Sequence, residues 1–293
     1  MSATKARKKA SPAPNLIASW LKVQPRIAGA PRLLIALDFD GTLSPIVKHH
    51  ADARLPLETK RLLQRLSRRR GVEVAIVSGR ALEDLKERVG LRGVTYIATH
   101  GFDMERRGKV WRHPRAPEFK RVIGQVTEAL QWELATFAGV NLEPKGYTLA
   151  VHYRQAHSAK IVAGMKAAFW QVVQPLVEAG EIRITYGKRV LEVRPAEEWG
   201  KGHGLAVLLA GPRADITKVA DRTGAFTGAA QGVLPLYIGD DETDEDGFTA
   251  IRHVGITARV GGATKPSAAE YRLASLAEVR RFLEMVDGEM IRR

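Results

Sequence analysis

Two aspartates, Asp38 and Asp40, flank Phe39 directly after the apolar run Leu33–Leu37 and ahead of Gly41-Thr42-Leu43. Side chains alternate along a strand, so carboxylates two residues apart leave its end on the same side. Gly41 permits a sharp turn that keeps both exposed at the strand mouth. Two carboxylates so close do not both stay ionised cheaply unless a cation lies between them or one keeps a proton. The pair suits Mg²⁺ binding, with one aspartate free to attack phosphorus and the other to shuttle a proton. A polar strand end followed by a turn would give the same letters, so the assignment depends on the company the pair keeps.

Three further polar clusters each follow an apolar run or open a helix. Ser78-Gly79-Arg80 follows Val77, where backbone N–H groups and a helix dipole favour a phosphate, although an N-cap serine is the ordinary reading. Trp199-Gly200-Lys201-Gly202-His203-Gly204 precedes an apolar helix at Leu205–Leu209. Its glycines let the lysine ammonium approach an anion, and a plain turn is the alternative. Gly239-Asp240-Asp241-Glu242-Thr243-Asp244-Glu245-Asp246-Gly247 places six carboxylates within seven residues after a buried strand. That density calls for a hard cation with oxygen ligands. An EF-hand loop does not fit, because Gly247 as sixth position makes the twelfth His253 instead of Glu.

These clusters need a scaffold, and the hydrophobic pattern supplies one. Short apolar runs at Leu33–Leu37, Val72–Val77, Tyr96–Ala98, Leu234–Ile238 and Val254–Val260 have the character of buried parallel strands. Amphipathic helices at 57–70 (Leu62, Leu63, Leu66) and 81–91 (Leu82, Leu85, Val89) lie between them. Strands alternating with helices argue for an α/β fold with a doubly wound, Rossmann-like parallel sheet. Ligand sites in such sheets collect outside the carboxyl ends of the strands, where the polar clusters fall. The stretch 113–193 breaks the pattern and reads helix–strand–helix–strand–strand, a smaller α/β domain inserted into the larger one. The expected division is therefore a catalytic core at 31–112 and 194–293, with an inserted domain at 113–193.

Composition narrows the function classes. With 45% hydrophobic and 27% charged residues the chain is an ordinary globular protein, and no apolar stretch approaches the roughly 20 residues a membrane span needs. The absence of cysteine excludes disulfides, a thiolate nucleophile and a Cys-ligated metal, and fits a reducing cytoplasm. Net charge is +14, and residues 1–37 contribute seven Lys or Arg with no acid. Residues 1–30 are expected to form a basic, disordered tail. Lys22 interrupts the short run Leu16–Leu21, so no secretion signal is read there.

Taken in order, the four clusters resemble the haloacid dehalogenase (HAD) superfamily of phosphatases, and within it the trehalose-6-phosphate phosphatase family. The resemblance covers about 31–290. It also rests on Thr99-His100-Gly101, Glu143-Pro144-Lys145-Gly146, His152-Tyr153-Arg154, the run Gly187–Pro195 and Tyr271-x-Leu273 with Glu278-Val279. It implies a HAD core with a cap domain of the C2B type and Mg²⁺-dependent hydrolysis of trehalose 6-phosphate. Asp38 is then the nucleophile that forms an aspartyl-phosphate, and Asp40 is the acid and base. The Asp38 carboxylate, the Asp40 main-chain carbonyl and Asp240 hold Mg²⁺, supported by Asp241 and Asp244. Ser78, Gly79 and Lys201 bind phosphate. Arg80, His100, Glu143, Lys145, Arg154, Lys188 and Glu192 are implied as contacts to the sugar.

Pro144 departs from the family pattern, where a polar residue, often Asn, is common; its loss would loosen sugar readout locally. His49, His50, His113 and His157 lack metal-ligand spacing and are assigned to the surface. The segment 211–233 is longer and more polar than the family pattern and is assigned to a surface insertion. The implied partner is a small-molecule sugar phosphate, with no nucleic acid and no membrane, acted on by a cytoplasmic monomer. Rival readings are a related phosphatase for sucrose 6-phosphate or a glycosyl-phosphoglycerate, a catalytically silent phosphosugar sensor, and a nucleic-acid binder resting on the tail alone.

Overall fold

The computed structural model describes residues 13–47, 52–211, 215, 217–219, 225–226, 228, 232–262 and 266–292. In chain order its elements are α1 (Trp20–Gly29), β1 (Arg32–Asp38), α2 (Leu57–Leu66), β2 (Val72–Val77), α3 (Leu82–Val89) and β3 (Thr95–Ala98). A hairpin of β4 (Asp103–Arg106) and β5 (Lys109–Arg112) leads to α4 (Ala116–Leu134), β6 (Asn141–Pro144), β7 (Leu149–His152) and α5 (Ala159–Glu178). Then come β8 (Ile182–Gly187), β9 (Val190–Pro195), α6 (Lys201–Ala210), β10 (Val233–Gly239) and α7 (Asp244–Ile251). The described chain closes with β11 (Ile256–Val260), β12 (Tyr271–Leu273) and α8 (Leu276–Ile291).

The main sheet has the order β12-β11-β10-β1-β2-β3-β4-β5, parallel from β12 to β3, with β4 and β5 antiparallel at the edge. Its central strand is buried on both faces, as its continuous apolar run requires. Leu33, Ile35 and Leu37 face one layer with α1, α2, α3 and α8; Leu34 and Ala36 face the other with α6 and α7. From β1 the chain builds outward through β2 and β3, then returns to build β10, β11 and β12 on the opposite side. The strand order therefore reverses between β1 and β10, and a crevice opens at their carboxyl ends. Asp38 ends one of these strands and Gly239 the other.

A second sheet, β6-β7-β9-β8, is wholly antiparallel. Leu149, Val151, Leu191 and Val193 on one face pack beneath Phe169, Met165, Leu130 and Val126 of α4 and α5. The alternate positions Ala150, His152, Glu192 and Arg194 belong to the other face.

The doubly wound core and the smaller inserted sheet match the sequence reading, with several local corrections. Residues 13–30, expected to be disordered, fold against the core instead. Leu16, Val23 and Ile27 are fully buried, Trp20 meets Phe282 edge-on at 6.0 Å, and the Leu16 N–H donates to the Arg272 carbonyl at 2.9 Å. Lys22 lies on the exposed side of α1 and so does not break the apolar face. The strand β6 and the hairpin β4–β5 are additions to the expected order. His113 is buried, 2% exposed, between Phe102, Phe119 and Trp199, and is not a surface residue. His157 is exposed, whereas His49, His50, residues 1–12 and most of 211–233 lie outside the described residues.

Candidate active site

The parallel pairing of β1 with β10 brings Leu37 opposite Ile238, so the chain leaves both strands side by side. Gly41 then turns with φ +92, and a Cβ at that position would collide with the Asp240 carboxylate. The first and last acidic clusters thus touch through a residue that must be glycine. Thr42 Oγ1 donates to Asp240 Oδ1 at 3.1 Å, closing this contact.

Lys201 enters the crevice as the first residue of α6, which starts four residues earlier than the apolar pattern alone indicates. Its ammonium donates to Asp38 Oδ1 at 2.8 Å and to Asp244 Oδ1 at 2.7 Å. All three residues are buried, Asp244 completely. Asp244 Oδ1 also accepts from Tyr237 Oη at 2.5 Å, while its Oδ2 accepts from the backbone N–H groups of Asp240 (2.9 Å) and Asp241 (3.0 Å). Four donors occupy this one carboxylate. Asp244 therefore anchors the acidic loop and orients Lys201. Asp241 Oδ1 accepts from the N–H groups of Thr243 and Asp244, which caps the start of α7.

The charges do not balance. Burial, then Asp244, raises the Asp38 carboxyl well above the carboxylate range despite Lys201, and Asp241 and Asp240 add to the effect. Burial with Asp244 and Asp241 lifts Asp240 to about 6. Burial acts against the charge on Asp241 as well, but Lys201 and its hydrogen-bond donors outweigh it and bring this group to about 2. For Lys201, burial opposes the charge and the facing Asp244 and Asp38 more than restore it. Four carboxylates thus share one ammonium. Asp38, Asp240 and Asp244 bring carboxylate oxygens within 4.8 Å of one another. An all-oxygen set with surplus negative charge suits a hard divalent cation. With Asp244 occupied by its donors, Asp38 and Asp240 are the carboxylates open to coordination.

Opposite this cluster lies the turn after β2. Asp38 pairs with Val77, so Ser78 follows beside Asp38. The Ser78 and Arg80 carbonyls accept from the N–H groups of His100 (3.1 Å) and Thr99 (2.8 Å). To reach them Thr99 and His100 take φ 48 and 55, a left-handed conformation that is costly for non-glycine residues and is held here by the surrounding packing. Gly79 lets the His100 ring approach the turn, since a Cβ there would strike Nε2. Arg80, expected at the sugar, is held by two carboxylates in this structure. Its Nε and Nη2 each donate to one oxygen of Asp40 at 2.7 Å, and Nη1 donates to Asp84 at 2.9 Å.

The inserted sheet supplies the remaining residues. Glu143 pairs with Ala150, Ala150 with Glu192 and Glu192 with Thr185, so these four form one row across the face away from α4 and α5. Glu192 Oε1 lies 3.7 Å from His100 Nε2, which links this row to the crevice. Burial drives the His100 imidazole down to about 4, so it is neutral at pH 7. Burial works against the charge on Glu192, but His100, Lys145 and Arg194 outweigh it and hold its carboxyl well below the usual range. Glu143 accepts from His152 Nε2 at 2.8 Å and lies 3.6 Å from Lys145. Arg154 and Lys188 are exposed, on the loop after β7 and on the β8–β9 turn.

Tyr237 and Thr42 are additions to the sequence-derived set. Tyr237 is hidden inside an apolar run, and only its hydroxyl among hydrocarbon neighbours could have signalled a polar partner. The described residues also line a cavity of about 910 Å³ at the opposite end of the sheet, bounded by Arg32, Val72, Trp111 and Gly211. It contains none of the four clusters, so the chemistry is assigned to the crevice.

A doubly wound sheet with an inserted cap, an aspartate at the end of β1 and a lysine reaching it from across the crevice define a phosphatase of the haloacid dehalogenase type. The family model described as trehalose-phosphatase matches residues 36–277. The chain belongs to the trehalose-phosphatase family. It is 31% identical over 277 residues to trehalose 6-phosphate phosphatase RA3 of Zea mays, covering 89% of this chain and 72% of that one. It is 33% identical over 260 residues to the trehalose-phosphate phosphatase of Mycobacterium tuberculosis, covering 87% and 61%. Among solved structures, the C-terminal domain of the C. albicans trehalose-6-phosphate phosphatase superposes with TM-score 0.74 at 23% identity, over 96% of this chain and 99% of that one. The C-terminal domain of a Candida albicans trehalose synthase regulatory protein shares the fold at TM-score 0.69 and 15% identity, over 95% and 100%.

Proposed function

We propose that this chain hydrolyses trehalose 6-phosphate to trehalose and phosphate through an aspartyl-phosphate on Asp38, with Mg²⁺ as the cation. The observation that supports this most is the Lys201 ammonium bridging Asp38 and Asp244 at the point where the strand order reverses. A buried nucleophile beside a fixed cation can receive a phosphoryl dianion where water cannot screen the interaction. Asp38, the main-chain carbonyl of Asp40 and Asp240 would hold Mg²⁺, which supplies counter-charge to the attacking carboxylate and the phosphate.

The chain's own steps balance as two displacements. An Asp38 carboxylate oxygen bonds to phosphorus as the ester P–O bond breaks, and Asp40 gives a proton to the departing sugar oxygen. Asp40 then takes a proton from water, whose oxygen attacks phosphorus and releases phosphate with Asp38 restored. Ser78 and Lys201 hold the phosphoryl oxygens through both steps. Glu143, Lys145, Arg154, Lys188, Glu192 and His100 face the sugar. Polar groups that a bound sugar covers discriminate among disaccharides, because the wrong hydroxyl pattern leaves them unpaired.

The proposal includes a monomer working in the cytoplasm. No described helix is long and apolar enough to cross a membrane, and the chain has no cysteine. The test is phosphate release from trehalose 6-phosphate, sucrose 6-phosphate, glucose 6-phosphate and mannosyl-3-phosphoglycerate, each with Mg²⁺ and with EDTA. A strong, Mg²⁺-dependent preference for the first is expected. Preference for another ester would reassign the substrate and keep the chemistry, and silence on all four would favour a sensor.

A further inference from the structure

The Asp40 carboxylate lies two residues beyond the end of β1, on a loop, and is about one-third exposed. A short side chain in that position has several staggered rotamers open to it. Only some of them aim the carboxyl group at the oxygen that leaves phosphorus. What fixes Asp40 here is Arg80, through two parallel N–H···O bonds of 2.7 Å, one to each oxygen. Such a fork fixes direction as well as distance, which a lysine ammonium does not.

The fork is itself fixed. Arg80 Nη1 donates to Asp84 Oδ2 at 2.9 Å, and Asp84 Oδ1 accepts from Arg88 Nη2 at 2.5 Å, one turn further along α3. The guanidinium lies 5.6 Å from the centre of the Phe39 ring, between the two aspartates of the first cluster. At its backbone, the Arg80 N–H donates to Ser78 Oγ at 3.2 Å and its carbonyl accepts from Thr99 N–H at 2.8 Å. The side chain is 8% exposed. Three of its N–H groups are committed to carboxylates, so a sugar hydroxyl or a phosphate oxygen would have to displace an ionic partner to use them.

Resting on the function proposed above, we propose that Arg80 is the positioning residue for Asp40, and that the line Arg88–Asp84–Arg80 on α3 aims this carboxylate at the leaving oxygen. As the proton passes from Asp40 to that oxygen and the P–O bond breaks, negative charge develops on the Asp40 carboxylate directly between the two guanidinium N–H groups. The fork then stabilises a charge that grows during the step, which lowers the barrier instead of strengthening ground-state binding. When water later gives a proton back to Asp40, the same geometry restores the starting state.

Leaving groups that need no proton provide the test. Single-turnover release of the leaving group would be followed by rapid quench with Mg²⁺ for p-nitrophenyl phosphate and for alkyl phosphates including trehalose 6-phosphate. Wild type would be compared with Arg80→Lys, Asp84→Asn and, as the reference for lost proton transfer, Asp40→Asn. Arg80→Lys is expected to slow alkyl release by about 10²-fold, within the usual contribution of general acid catalysis, with p-nitrophenolate release and KM within about threefold. Asp84→Asn should shift the same ratio in the same direction by about five- to tenfold. Equal slowing of both ester classes, or a rise in KM with unchanged alkyl release, would overturn the assignment and make Arg80 a phosphate or structural residue. Should Arg80→Lys lose its near-ultraviolet circular dichroism, Asp84→Asn decides the matter alone. If wild type acts on alkyl phosphates without preferring trehalose 6-phosphate, the substrate proposal fails and the leaving-group comparison still decides Arg80.

Discussion

Lys201 Nζ and Asp244 Oδ1 stand 2.7 Å apart with no exposed surface on the aspartate, and the same ammonium reaches Asp38 Oδ1 at 2.8 Å. One buried cation thus ties the end of β1 to the start of α7. Lys201→Met keeps most of the stem and removes the charge, leaving buried carboxylates to repel one another. The cost of a broken buried pair is about 3–5 kcal/mol, and kcat/KM should fall by about 10³-fold or more. Because a divalent cation offsets part of that repulsion, the loss in melting temperature should be larger in EDTA than in Mg²⁺. A variant that melts normally in EDTA, or keeps a tenth of its activity, would remove Lys201 from this role.

A pH dependence of cation affinity follows from Asp240. Burial, Asp244 and Asp241 raise it to about 6 without metal, above its ordinary value, so the folded protein binds a proton there more tightly than the unfolded chain. That contribution to stability is fully present at low pH and is lost as pH rises through about 6. Above that pH the unliganded cluster carries its full repulsion, which is where a divalent cation helps most. The increase in melting temperature produced by Mg²⁺ should therefore be larger at pH 7.5 than at pH 5. Below about 6, Mg²⁺ affinity should fall by up to about tenfold per pH unit for each proton displaced. Titrations by thermal shift at both pH values would check this, and equal shifts would count against Asp240 as a ligand.

The strands and the four clusters were legible because each rests on a local signal: an apolar run buried on both faces, or a polar string at its end. Arg80 shows where local signals stop. Its partners Asp40 and Asp84 are separated in sequence by 40 and 4 residues, and its direction depends on how β1 lies beside β2. Tyr237 was hidden for the opposite reason, as a polar atom inside a hydrophobic string. His113 looked like a surface residue because nothing nearby in sequence reveals the aromatic wall of Phe102, Phe119 and Trp199. The strand β6 is only four residues long and alternates little, so the periodicity that marks β7 is missing from it.

Glu192 is the cap residue whose contribution can be separated from the phosphate chemistry. It lies beside a His100 that burial keeps neutral at pH 7, so its charge remains available to a sugar hydroxyl. Glu192→Gln keeps the shape and removes the charge. KM for trehalose 6-phosphate should rise about tenfold, in the range of one charged hydrogen bond, while p-nitrophenyl phosphate hydrolysis stays within about twofold. Initial-rate kinetics on the two esters checks this. An equal effect on both would place Glu192 in support of the core instead of the sugar.

Sequence and structure disagree most at α1. Leu16, Val23 and Ile27 are fully buried, and Asn15 Nδ2 donates to Glu278 on α8 at 2.8 Å. A chain lacking residues 1–12 retains all of these contacts and should melt at the temperature of the full protein. Removing residues 1–30 exposes the apolar surface of α8 around Phe282. At roughly 1.5–3 kcal/mol for each buried aliphatic side chain, the loss should be about 5 kcal/mol or more. Urea unfolding of the two truncations separates the possibilities. If both unfold at the same midpoint as the intact chain, α1 adds nothing to the core, and the whole segment to residue 30 is a tail after all.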